Sequence, residues 1–170
     1  EPLPEGGYGG EYVADWAAEM PDEVADAGLD AVRRWGYDRA LADQREVLDA
    51  FHVHFDVWSS ELALVESGAM DAALADLRER DHVYDADGAV WLRSTDFGDD
   101  KDRPLIKSDG EPTYLLPDVA YHRDKFARGF DLLIDVWGAD HHGYVPRMKA
   151  AIEALGHDPA ELEVAIVPIV

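Results

Sequence analysis

The run Gly138-Ala139-Asp140-His141-His142 follows a mostly apolar stretch, Asp131 to Trp137, and so reads as the turn at the carboxyl end of a strand. A carboxylate there can hold a pair of ribose hydroxyls, and an imidazole can donate to a phosphate or carbonyl oxygen. The same side chains, joined by another Asp, could ligate a divalent metal. A solvated turn is the third reading, and the residues alone leave all three open. A second group lies in Thr113-Tyr114-Leu115-Leu116-Pro117-Asp118-Val119-Ala120-Tyr121-His122. An acid at Asp118, in the first turn of a helix, interacts favourably with the helix dipole. A carboxylate beside aromatic faces also suits a guanidinium, which takes a planar bidentate acceptor and stacks on rings. Both readings stand. A third segment, Trp91 to Arg103, is as acid-rich as a calcium loop. It lacks the Asp-x-Asn/Asp-x-Asn/Asp-Gly ligand order, so an EF-hand is excluded.

The elements that position these groups follow from periodicity. Tyr12, Val13, Trp16, Ala17 and Met20 recur at helical spacing, Pro21 restarts the helix, and Val24, Leu29, Val32 and Trp35 continue it. Gly36 marks a stop before a third helix, from about Asp38 to Phe51, with Leu41, Val47, Leu48 and Phe51 as its buried stripe. The first ten residues, with two prolines and four glycines, read as a loop. His52 to Trp58 alternates and is rich in β-branched and aromatic residues, predicting a strand. Ser59 and Ser60 can cap a short helix over Glu61–Glu66, and a further helix spans Met70–Arg80 with Leu74 and Leu77 inward. Asp87-Gly88 and Asp109-Gly110 each separate two apolar runs and predict two hairpins, with Thr95 to Asp102 a charged loop between them. Pro117 at a first helical position opens a helix to about Phe126, after a strand ending at Tyr114. Strand 131–137, the glycine-bearing turn, a helix from Val145 to about Leu155 and a last strand, Val164 to Val170, form a parallel crossover unit. The fold class is α/β: a partial Rossmann-type parallel sheet with an inserted α+β subdomain containing hairpins. Residues 1–112 make the helical segment and inserted subdomain, and 113–170 the crossover unit.

With 47% hydrophobic and 10% aromatic residues the chain can pack a core. It has no cysteine, hence no disulfide framework or thiolate chemistry. No apolar run approaches the roughly 18–20 residues that span a bilayer, and no basic-then-apolar leader opens the sequence, so a cytoplasmic protein without a membrane partner is expected. The net charge of −22 on 170 residues is the unusual property. It lies far outside the range of about 2–8 units that suits a small domain. The acids are spread along the helices, and lysine is confined to Lys101, Lys107, Lys125 and Lys149. Such density destabilises a compact state in dilute salt, and at molar salt, where the Debye length is about 3 Å, the penalty largely vanishes. Adaptation to a salt-filled cytoplasm is the reading adopted; the alternative is an acidic surface for a basic partner.

Four runs together carry a specific resemblance: Leu92 to Arg103, Leu105 to Gly110, Thr113 to His122, and Trp137-Gly138-Ala139-Asp140-His141-His142-Gly143-Tyr144-Val145-Pro146-Arg147-Met148. With Phe55 to Glu61 and Tyr8-Gly9-Gly10-Glu11-Tyr12 further upstream, they resemble, in order, the middle of the arginyl-tRNA synthetase family. That resemblance implies a class I catalytic domain that activates arginine with ATP, as Mg-ATP, and then charges arginine tRNA. By motif match Tyr114 and Asp118 would contact the arginine substrate, with Asp118 on its guanidinium. Gly138, Asp140 and His141 would face ATP, with Asp140 near the ribose and His141 near the adenylate. No metal ligand and no catalytic side chain is assigned within these residues.

The family's His-x-Gly-His and Lys-Met-Ser-Lys-Ser segments do not occur in the sequence. The chain is therefore expected to be an internal fragment that does not turn over by itself. Two alternatives of other classes accompany this reading. A metal-dependent phosphoesterase with an Asp-His-His motif would need strand-end aspartates grouped near the N-terminus, where only scattered helical acids occur. A non-catalytic acidic binding module is the other.

Overall fold

A computed structural model of the chain describes residues 10–168. The loop expected over the first ten residues, Tyr8 and Gly9 of the resemblance, and the end of the last strand at 169–170 lie outside the described residues. The described residues form two compact units, divided between Trp58 and Ser59.

The first unit is helical: α1 (Glu11–Glu19), α2 (Asp22–Asp26) and α3 (Leu29–Ala50). Trp16, Met20, Val32 and Trp35 meet along one seam, which Gly36 shares. Gly36 does not stop the helix, contrary to its sequence reading. A glycine inside a helix weakens it by only about 0.5–1 kcal/mol, and α3 runs through it for 22 residues. Only part of the stripe expected to be buried is covered: Leu41 and Leu48 are half-buried, whereas Val47 and Phe51 are exposed. The strand expected over 52–58 does not form either. Instead α3 ends in a Schellman motif, with His52 left-handed at φ 58° and Val53 N–H donating back to the Leu48 carbonyl at 2.9 Å. Among the described residues no strand pairs with the segment that follows, and Val53, Phe55 and Val57 stay exposed.

The second unit carries the α/β architecture. Ser60 caps α4 (Glu61–Glu66), its hydroxyl accepting from Ala63 N–H, and α5 (Ala69–Glu79) follows. Strands β1 (Val83–Ala86), β2 (Ala89–Leu92) and β3 (Arg103–Ile106) form an antiparallel sheet in the order β1-β2-β3. Asp87 and Gly88, both at positive φ, make the tight turn between β1 and β2. The second predicted hairpin keeps its turn but not its second arm. After Gly110 the Glu111 carbonyl accepts from Lys107 N–H at 2.8 Å, Pro112 bridges back to Ile106, and Thr113 N–H reaches the Leu105 carbonyl, with no strand beyond. The chain then enters α6 (Leu115–Ala127), two residues before Pro117. A proline within a first turn is tolerated because its missing N–H would have no helical partner.

The crossover forms as the sequence predicts. Strand β4 (Leu133–Gly138) runs into a 3-10 turn, Ala139–Tyr144, then α7 (Val145–Ala154) and β5 (Leu162–Val167), which pairs parallel with β4. The core joins Leu77 of α5, Leu92 of β2, Leu105 of β3, Leu116 and Val119 of α6, Met148 and Ile152 of α7, and Leu162 of β5. Helix α6 is thereby fixed from several sides, and its N-terminal turn is a rigid platform for side chains. Among the described residues no helix is long and apolar enough to cross a membrane.

Candidate functional site

Tyr114 adopts helical dihedrals, φ −59° and ψ −22°, immediately before α6, rather than closing a strand. Leu115, Leu116 and Pro117 are buried beneath it, and the Tyr114 ring projects outward, 88% exposed. Asp118 lies one turn on, in the first turn of α6. It is held at two points. Its carboxylate Oδ2 accepts a hydrogen bond from the Tyr144 hydroxyl at 2.8 Å, and its backbone carbonyl lies 2.7 Å from His122 Nδ1. Burial, and then the negative charge of Asp118, push the Tyr144 phenol well above its ordinary range. Tyr144 is therefore a neutral donor throughout the physiological range.

Beneath this lies a network that sequence reasoning missed. Asp135, inward-facing on β4 and buried, accepts from Lys125 Nζ at 2.7 Å and sits 2.8 Å from His122 Nε2. Burial would raise its carboxyl, but the bonds from His122 and Lys125 outweigh burial and hold it below the usual range. Asp118, His122 and Lys125 are spaced i, i+4, i+7, one face of a helix. That spacing was the available signal, but the partner Asp135 is set by tertiary packing.

Three cavities are lined by Tyr114. One, of about 190 Å³, is lined by Ser60, Glu61, Tyr114, Asp118 and Tyr121, and so joins carboxylates to aromatic faces. A second, of about 460 Å³, is lined by Lys101, Asp102, Arg103, Tyr114, Tyr144 and Arg147, and a third, of about 450 Å³, by Glu61, Lys107, Thr113 and Tyr114. Arg103 is committed to Asp99 through two bonds of 2.7 and 2.8 Å, which hold the Asp99 carboxyl far below its usual range. Arg147 lies over the Tyr144 ring at 4.8 Å, and its buried Nε has no hydrogen-bond partner among the described residues. With Arg103 paired to Asp99, and Asp102 also in the lining, the excess positive charge of the second cleft rests on Lys101 and Arg147, in a chain of net charge −22. Lys101, Arg103, Tyr144 and Arg147 all fell within sequence runs that carried the resemblance, yet spacing gave none of them a role.

Gly138 ends β4, and a Cβ there would come within 2.6 Å of Asp140 Oδ1, so the missing side chain leaves that carboxylate its place. Asp140 and His141 are both exposed and 3.5 Å apart. Neither they nor Gly138 lines the three cavities beside Tyr114. The 3-10 turn reaches Asp118 through Tyr144 instead. The site residues thus form two sets: Tyr114 with Asp118 on α6, and Gly138, Asp140 and His141 at the carboxyl end of β4. Among the described residues no group of three His, Cys, Asp or Glu side chains is arranged to hold a metal ion.

Comparison with known proteins bears on the family and the fold. Residues 29–167 match the family of tRNA synthetases class I (R), catalytic domain. An arginine–tRNA ligase of Bacillus licheniformis is 54% identical over 100% of the chain, and that of Bacillus subtilis 53% identical over 100%. The chain spans about a third of the length of these curated relatives, 32% in each case. A solved structure of an arginyl-tRNA synthetase from Campylobacter jejuni superposes with a TM-score of 0.90 at 37% identity, over 99% of this chain and 38% of that one. The arginyl-tRNA synthetase of Thermus thermophilus shares the fold at a TM-score of 0.66 and 18% identity, over 79% of this chain and 30% of that one.

Proposed function

The chain belongs to the class I (R) tRNA synthetase catalytic-domain family, and on that premise we propose that it supplies the amino-acid side of an arginine–tRNA ligase active site. Arginine, ATP and arginine tRNA are the substrates, and the protein works in a salt-rich cytoplasm. In the activation step the arginine carboxylate attacks the α-phosphorus of ATP and pyrophosphate leaves. In the transfer step a terminal ribose hydroxyl of the tRNA attacks the activated carbonyl and AMP leaves. Within this reading residues 1–112 provide the helical and inserted parts and 113–170 the crossover unit.

The observation that carries the proposal is the cavity that Asp118 lines together with Tyr114, Tyr121 and Glu61. A guanidinium entering it gives up hydration. A fixed carboxylate replaces that hydration with charge-assisted hydrogen bonds, and the ring faces accept its planar face. Gly138, Asp140 and His141 stand at the carboxyl end of β4, where nucleotides bind in open parallel sheets, and in this reading they face ATP. The cleft bearing Lys101 and Arg147 suits a phosphate-bearing partner.

The test is Asp118→Asn in the full-length gene product, with arginine and ATP affinities measured separately. The substitution keeps shape and removes charge. A charge-assisted bond is worth about 1.5–3 kcal/mol, so arginine affinity should fall roughly ten- to a hundredfold. ATP affinity should hold. If Asp118 is only a helix-dipole acid, arginine affinity will not move and only about 0.3–1 kcal/mol of stability will be lost.

A further inference from the structure

Asp118 could point its carboxylate in several directions from the first turn of α6. A first-turn acid is commonly drawn to the free N–H groups of its own helix. Here no N-terminal side-chain cap forms on α6. The carboxylate is turned instead toward Tyr144, which arrives from the opposite end of the crossover, 26 residues along the chain, and donates to Oδ2 at 2.8 Å. Tyr144 is in turn held by its surroundings. Its ring packs edge-on against Trp137 at 5.7 Å, the Arg147 guanidinium covers a face at 4.8 Å, and the residue is half-buried. The hydroxyl has one donor hydrogen, and Asp118 takes it.

We propose that Tyr144 is the positioning residue for guanidinium recognition: its hydroxyl fixes the Asp118 carboxylate so that the remaining acceptor sites face the cavity beside Tyr114. The inference rests on the reading of Asp118 given above. An ionised carboxylate offers about four lone-pair positions, and one bond from Tyr144 leaves enough for a bidentate guanidinium. A fixed plane favours a planar fork over a single ammonium, so the device discriminates arginine from lysine as well as raising affinity. His122 secures the same residue through its main chain, so loss of Tyr144 frees the side chain without moving the helix.

The experiment is a double-substitution cycle in the full-length gene product: Tyr144→Phe, Asp118→Asn and both together. Phe keeps the ring against Trp137 and Arg147 and removes only the hydroxyl. For Tyr144→Phe the KM for arginine should rise roughly three- to tenfold, the size expected for one lost hydrogen bond. The KM for ATP should stay the same, kcat at saturating arginine should change little, and preference for arginine over lysine should fall. In the Asp118→Asn background Tyr144→Phe should add almost nothing. If Tyr144→Phe raises the KM for arginine equally in both backgrounds, or leaves it unchanged while Asp118→Asn weakens binding, the positioning role is overturned and the reading of Asp118 survives. If Asp118→Asn itself leaves arginine binding intact, the underlying reading fails first. Thermal unfolding of each variant separates a general loss of fold, which would move both KM values.

Discussion

A carboxylate 6% exposed between an imidazole and an ammonium is the most consequential single group under the site. Asp135 ties β4 to α6, and α6 carries Tyr114 and Asp118. Removing one member of a buried ionic group leaves the others without compensation, which is more damaging than the net worth of the interaction. Asp135→Ala should therefore destabilise the fold by about 3–5 kcal/mol, measured by urea unfolding at neutral pH. A loss below about 1 kcal/mol, the value of an exposed pair, would mean that water reaches the network. The pH dependence has a definite sign. The folded carboxyl sits below the usual range. Its contribution is thus complete above the unfolded value of about 4 and is lost as pH falls through the folded value. The parent chain should lose stability on acidification below about pH 4, and Asp135→Asn should flatten that acid limb. Steepening of the limb in the variant would contradict this assignment.

At the scale of elements, the turns with a local chemical cause were legible and those depending on a partner were not. Asp87-Gly88 makes its hairpin because both positions need positive φ, 53° and 76°, and the sequence places there the two residue types that tolerate it. Gly88→Ala forces a side chain into that region. The added Cβ would meet Ser108 only at ordinary contact distance, 3.6 Å, so the loss is conformational, about 1–2 kcal/mol, readable as a lowered unfolding midpoint with unchanged circular dichroism. A neutral result would mean the turn relaxes to another type. The parallel crossover was equally legible, because strand, glycine turn, helix and strand recur at lengths that admit few other topologies. Residues 52–58 alternate as a strand should, but alternation specifies only a face, and a strand also requires a ladder partner. Similarly, Tyr114 and Asp118 were legible as near neighbours at a strand-to-helix junction, although Tyr114 takes helical dihedrals, whereas Tyr144 meets Asp118, and Asp135 meets His122, only through the fold.

At the scale of the whole molecule the acidic composition opposes folding in one way and shapes it in another. There are 37 Asp and Glu against 15 Lys and Arg, so most acids have no cation to meet. Several that do are exposed pairs at helical spacing, such as Arg33–Asp30 and Arg34–Asp38. Such pairs are worth about 0–1 kcal/mol each and weaken as salt is added. The repulsion among the unpaired acids is screened by the same salt, and it involves far more charges. Relief of repulsion therefore wins, and the buried network around Asp135 is screened least of all. Raising potassium chloride from about 0.1 M to 1 M shortens the Debye length from roughly 10 Å to 3 Å, below the spacing of most surface carboxylates. The thermal midpoint should rise across that range and level off once screening is complete. A midpoint that is flat, or highest in dilute buffer, would overturn the salt-adapted reading, because exposed pairs would then outweigh the net charge. The cleft bearing Lys101 and Arg147 gives a second expression of the same argument. If Lys101 and Arg147 hold a phosphate-bearing partner against a background of −22, salt lowers the repulsion the partner must cross as well as the attraction at the cleft. Binding of an arginine tRNA by the full-length gene product should then weaken with salt far less than the slope of about −0.7 to −0.9 per phosphate contact seen for basic proteins. A slope of that full size in filter-binding or anisotropy titrations would show that the acidic surface plays no part in docking.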